Sequence, residues 1–197
     1  MSRPVLLMAR ELGIGGSERQ LTETARSLDR SRFTPHVACF HEAGFRGAEL
    51  RAAGVPVVHI PVSSFLHPAV LRGAWMFADY LKRHRIQLVH AFDYPSNVFA
   101  VPAARAAGVP VVLGSQRAHR SLVPPLYLHP LRMTDQLVDG IVVNCEYLRR
   151  HLATEEKVDR RLIHLCYNGI DLQRLCPDRP LGRRYRSENR VPPLFTR

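Results

Sequence analysis

The chain has 197 residues, 46% hydrophobic and 23% charged, with a formal net charge of +11. That length suits one well-buried domain and is short for two, and the balance is that of a soluble globular protein. No apolar run reaches the length of a membrane span, and Cys39, Cys145, Cys166 and Cys176 show neither C-x-x-C nor metal-ligand spacing.

In chain order, the apolar run Val5–Met8 predicts a buried strand and Glu18–Leu28 a helix. Between them lies Gly13-Ile14-Gly15-Gly16-Ser17-Glu18-Arg19. Glycines between a parallel strand and a helix let backbone N–H groups approach a ligand, and the positive end of the helix dipole favours an anionic one. A tight turn without a ligand is the alternative. Further strands are predicted at His36–Phe40, Pro56–Ile60, Gln87–Ala91, Pro110–Leu113, Ile141–Val143 and Leu162–Leu165. Helices fall between them at Arg46–Ala53, Pro68–His84, Ser96–Ala107, Pro130–Val138 and Glu146–Thr154. This alternation predicts an α/β fold over residues 1–177: a single Rossmann-like domain, a parallel sheet of about seven strands, helices on both faces.

An internal echo supports it. Ala52-Ala53-Gly54-Val55-Pro56-Val57-Val58 recurs as Ala106-Ala107-Gly108-Val109-Pro110-Val111-Val112. Each copy ends a helix with glycine and opens a strand with proline. The helix over 68–85 carries Leu71, Trp75, Ala78 and Leu81 on one stripe, expected to cover the sheet, and ends in Lys82, Arg83, His84 and Arg85. The same basic end beside Trp75 would also suit an anionic membrane surface.

In a doubly wound sheet, ligands sit beyond the carboxyl ends of the strands, where the strand order reverses. With the common order 3-2-1-4-5, the first strand leads there into Gly13–Arg19 and the fourth into His90-Ala91-Phe92-Asp93-Tyr94-Pro95. The fifth leads into Gly114-Ser115-Gln116-Arg117-Ala118-His119-Arg120. Cys39 and Cys166 read as small buried hydrophobes, and the ten histidines form no metal grouping, so no metal is expected. The basic residues are nearly all arginine, concentrated late in the chain and without a nucleic-acid-binding motif. No specific nucleic-acid partner is expected. Residues 178–197 are polar and aperiodic and read as a disordered basic tail.

Four stretches in this order resemble the N-terminal, acceptor-side domain of group-4 glycosyltransferases, which pair two Rossmann-like domains in the GT-B architecture. They are Gly15-Gly16-Ser17-Glu18-Arg19-Gln20-Leu21, Leu88-Val89-His90-Ala91-Phe92-Asp93, Val142-Val143-Asn144-Cys145 and Cys166-Tyr167-Asn168-Gly169-Ile170-Asp171. The resemblance implies transfer of a sugar from a nucleotide-sugar to a glycan or lipid-linked acceptor, without metal or other cofactor. It places Gly15 and Gly16 at the donor phosphates. His90 and Asp93 are the candidates for the chemistry, with a structural histidine and a cap of the helix that begins near Ser96 as the alternatives. Arg19, Arg117 and His119 are the candidates for the acceptor, the last two having a solvated basic loop as their alternative. Phe92 stands where many relatives carry a second histidine, and no glutamate pair has the spacing of the family's donor-binding domain. The chain therefore reads as half an enzyme, inactive alone, with room for a separate donor-domain chain as partner. The expected location is cytoplasmic, with peripheral contact at the inner membrane face as an addition. Two other readings stay open. One is a non-catalytic module binding anions or a partner. The other is a nicotinamide-dependent oxidoreductase, from Gly13 and Gly15 with Glu42 after the second strand, although Glu18 occupies the third glycine position.

Overall fold

The computed structural model describes residues 2–172 and 178–190. Among them are strands β1 (Arg3–Glu11), β2 (Phe33–His41), β3 (Val57–His59), β4 (Leu88–Ala91), β5 (Val111–Gln116), β6 (Gly140–Val143) and β7 (Ile163–Leu165). The helices are α1 (Gly16–Ser27), α2 (Phe45–Ala52), α3 (Ala69–Arg83), α4 (Tyr94–Ala106), α5 (Pro125–Thr134), α6 (Glu146–Thr154) and α7 (Arg179–Glu188). One seven-stranded sheet runs in the order β3-β2-β1-β4-β5-β6-β7, parallel throughout. The order reverses between β1 and β4. This is the single α/β domain that the alternation predicts.

The layers follow from the period of two along each strand. Leu6 and Met8 of β1 join one core with Phe77 and Leu81 of α3, Phe99 and Ala104 of α4, and Leu148 and Leu152 of α6. Leu7 and Ala9 point the other way, into a second core with Leu21 and Ala25 of α1 and Leu50 of α2. Burying a Leu or Phe completely is worth about 1.5–3 kcal/mol. The central strand is therefore anchored from both sides.

The two echoed joints close alike. Gly54 and Gly108 take φ of +68° and +79°. In each, the glycine N–H reaches back three residues and the following valine N–H five, Val55 to Leu50 O and Val109 to Ala104 O, both at 3.0 Å. These are two copies of one Schellman stop.

The structure departs from the sequence reading in five places. First, β5 runs on through Gly114, Ser115 and Gln116, because β6 pairs with them to the end of the ladder, Gln116 opposite Val143. Second, α5 begins at Pro125, where proline suits a first turn, and Pro130 lies inside the helix. Third, α3 faces the sheet with Gly73, Phe77 and Leu81, while Leu71 and Trp75 are 73% and 69% exposed. A side chain at Gly73 would run into Val62, so the helix docks closely along that stripe and turns the bulky one outward. Fourth, Cys166 is exposed, since it lies just past the end of edge strand β7. Cys39 is buried as expected, and burial pushes its thiol up to about 12.

The fifth concerns the tail. Arg179–Glu188 is helical where disorder was expected: the Asp178 side chain accepts from Leu181 N at 2.9 Å, and Arg184 pairs with Glu188 one turn on at 2.7 Å. Cys176 and the expected boundary at Pro177 lie outside the described residues.

Candidate functional site at the strand switch point

Because every strand is parallel, the loops after β1, β4, β5 and β7 leave the sheet at one edge, and β1 and β4 part there. Gly15 caps α1 and Gly16 is its first residue. The leading N–H groups of a helix have no acceptor within it. A Cβ on Gly16 would meet nothing within 4 Å, so this end of the helix is open. A Cβ on Gly15 would overlap the Glu18 carboxylate, which folds back over the turn. Glycine at 15 leaves room for the acid at 18, which sits where the helix dipole favours a negative charge. Arg19 lies half-buried in the first turn, its N–H bonded to Gly15 O at 3.0 Å, and it lines neither cavity described below.

Asp93 caps α4 and has both carboxylate oxygens engaged. Oδ1 accepts from Ser96 N at 2.8 Å, and Ser96 Oγ accepts in return from Asp93 N at 3.1 Å. Oδ2 accepts from Arg10 N at 2.7 Å, across the switch point. Burial raises its pKa against the pull of these N–H groups. His90 is buried beneath, its Nε2 2.8 Å from Ser115 Oγ. Burial, with the Arg117 guanidinium as the lesser cause, pushes it down to about 3. A neutral, enclosed imidazole and a doubly committed carboxylate shape the site; neither is placed as a free base.

Arg117 crosses the face of Phe92, 4.9 Å from the ring centroid, and its Nη1 donates to Asn168 Oδ1 at 2.9 Å. Its buried Nε has no hydrogen-bond partner, and burial lowers its pKa. Beside it, Gln20 holds Gly169 through two bonds of 2.9 Å, Nε2 to the carbonyl and the glycine N–H to Oε1. Arg117 and Gln20 thereby fasten the Asn168–Asp171 stretch onto α1. They border a cavity of about 700 Å³ with Thr24, Cys166, Ile170 and Leu172.

A second cavity, of about 200 Å³, opens where β1, β2 and β4 end, lined by Arg10, His41, Ser63, Ser64, Tyr94 and Tyr127 among others. Apart from Tyr94, in the loop after the fourth strand, these residues escaped the sequence reading, because side chains scattered over five segments carry no spacing signal. His119 lines neither cavity. It contacts Ser121 (Nδ1 to Oγ, 2.8 Å) and the rings of Tyr147 and His151. Arg120 turns inward and is held by Asp135 at 2.7 Å and Glu156 at 3.1 Å.

The profile of Glycosyltransferase Family 4 matches residues 14–174. The chain belongs to this family. Among solved structures it is similar to HepE from Anabaena, crystallised with UDP and glucose, at 16% identity and a TM-score of 0.74 over 96% of this chain and 50% of that one. A glycosyltransferase from Rickettsia africae gives 15% identity and a TM-score of 0.73 over 97% of this chain and 50% of that one. The lipopolysaccharide outer core galactosyltransferase WaaB gives 12% and 0.67 over 86% and 46%. The chain thus spans about half the length of these enzymes, with the fold of one GT-B half. No curated protein matches it significantly in sequence.

The burial of His90 has a measurable consequence. Below pH ~6.5 the unfolded chain protonates this residue while the folded one, held near 3, does not, so stability falls as the solution is acidified. Asp93, raised by burial, acts with the opposite sign at lower pH but is common to both proteins compared. Between pH 7 and 5, urea unfolding of the wild type should lose about 2 kcal/mol more than that of His90→Gln. Parallel losses in the two proteins would show that His90 is not held neutral.

Proposed function

We propose that this chain is the acceptor-binding half of a glycosyltransferase that moves a sugar from a nucleotide-sugar to a glycan or lipid-linked acceptor. The observation that carries this reading is the pairing of two features at one sheet edge. One is an open glycine-capped helix end suited to a diphosphate. The other is a cavity whose Tyr94, Tyr127, Ser63 and Ser64 offer rings and hydroxyls to a sugar. The UDP and UDP-glucose bound by Anabaena HepE support a nucleotide-sugar as the donor. In this reading Gly15 and Gly16 face the donor phosphates. Asp93 and His90 stand at the reacting centre as residues that hold its shape. Arg117, with its unpartnered Nε, takes an acidic group of the acceptor, with Arg19 and His119 at the periphery. No step in this half calls on a metal or other cofactor, and the remaining donor contacts come from a second domain, on this chain's continuation or on a separate chain.

The isolated chain should bind acceptor but not turn over donor. Screened against a glycan array, it should capture a sugar, lose it on Tyr94→Ala, and keep it as salt rises from ~50 to ~200 mM, where phosphate-driven binding falls steeply. Binding of polyanions alone with steep salt dependence would replace this reading with the anion-binding module. Sugar transfer by the purified chain alone would refute its dependence on a second domain.

The reading extends to a peripheral membrane contact at the inner face. None of the described helices is long and apolar enough to cross a membrane. Leu71 and Trp75, one turn apart and exposed on α3, share that helix with exposed Arg72, Lys82 and Arg83, and Arg85 follows it. An apolar pair on a helix with a basic end, where Asp79 pairs with Arg83 alone among the described residues, suits an anionic bilayer surface. The chain should sediment with anionic liposomes at low salt, and Leu71→Ser with Trp75→Ser should abolish this. Absence of binding at low salt, or binding unchanged in that double variant, would make α3 scaffold only.

A further inference from the structure

On the far side of the loop after β5, the fold assembles three side chains that the sequence leaves apart. His119 comes from that loop, His151 from α6, and Glu155 caps the helix end. One potential ligand atom from each lies within 4.8 Å of the others. The two imidazole centroids are 4.0 Å apart. His151 is 4% exposed, and neither of its ring nitrogens makes a hydrogen bond. Its Nδ1 does lie 3.1 Å from Glu155 Oε2, but off the direction a hydrogen bond requires. A buried imidazole with both nitrogens unsatisfied is costly unless something else takes a lone pair.

We propose that His119, His151 and Glu155 bind a divalent transition cation of the zinc class, which ties the loop after β5 to α6. Two imidazoles and a carboxylate are a donor set that suits such an ion. Ligands ~2.0–2.1 Å from a tetrahedral centre lie about 3.3 Å from one another and off each other's lone-pair axes. The His151–Glu155 pair already has that relation. His119 is half-buried and Glu155 exposed, so both have room to close the remaining distance. Ser121 supports His119 from behind. Its N–H donates to Nδ1 at 3.2 Å in the ion-free tautomer, and its Oγ, at 2.8 Å, accepts the Nδ1 proton in the tautomer that frees Nε2 for the ion.

The charged groups around the cluster are paired among themselves. Arg120, the nearest buried positive group, is neutralised by Asp135 and Glu156. Glu156 lies 3.9 Å from His151 Nε2 and is paired in turn with Arg120 and Arg132. His119 is two residues from Arg117, so the ion would also steady the arginine that faces the larger cavity.

The test uses the full chain, stripped with a chelator and titrated with Zn²⁺ alone by calorimetry, and with Co²⁺ followed by its visible absorption. One ion per chain is expected, with a rise in Tm on binding. His119→Ala and Glu155→Gln, which change accessible side chains, should each weaken binding about 10-fold or more, whereas His67→Ala should leave it unchanged. Absence of binding, or equal affinity in the wild type, His119→Ala and Glu155→Gln, would overturn the site.

Discussion

The architecture of the site turns on one carboxylate. β1 and β4 pair through Met8 and Ala91, and the last backbone rung runs from Phe92 N to Met8 O at 2.8 Å. Beyond it the chain must leave the sheet to begin α4, so Arg10 N would face no acceptor on that side. Asp93 Oδ2 takes that rung while Oδ1 caps α4. Losing the cap alone costs about 1 kcal/mol. One residue therefore extends the ladder, starts the helix and fixes how far the strands part. The crevice between them is a consequence of that geometry.

Around this point the chemistry is arranged by neutral or paired groups. His90 is uncharged and leans on Ser115, and Asn97, buried in α4, donates to Ser115 O at 2.8 Å. Arg117 spends its charge on the Phe92 face and on Asn168. Phe92 thus becomes the platform for a cation. An arrangement of this kind fits the proposed division of labour with a second domain. Among its groups, the buried Arg117 Nε and the leading N–H groups of α1 are left for a ligand, beside the hydroxyls that line the smaller cavity.

Much of the fold was legible in the sequence because short apolar runs and glycine stops are local signals. The β1 and β4 runs, the glycine turn and the Gly54 and Gly108 joints each announce themselves within a few residues. The misplacements have non-local causes. β5 is longer because β6 supplies partners for Ser115 and Gln116, and α3 is rotated because Gly73 permits close approach to Val62. Loop position puts Gly15, Gly16, Asp93 and Arg117 at one sheet edge, and the Asp93 cap of α4 is legible from the helix start that follows it. The longer-range bonds were not, since the Asp93–Arg10 bond spans 83 residues and the Gln20–Gly169 pair 149. The His119–His151–Glu155 cluster was invisible for the same reason, apart from the one-turn spacing of its last two members.

The claim that Asp93 acts as the missing rung of the ladder is tested most directly by amide hydrogen exchange at Arg10. In the wild type this N–H, near the exposed end of β1, should be protected to the same degree as its inward neighbours. In Asp93→Ala it should exchange freely while Leu6 and Met8 stay protected. A freely exchanging Arg10 amide in the wild type, or one indifferent to the loss of the carboxylate, would contradict the account.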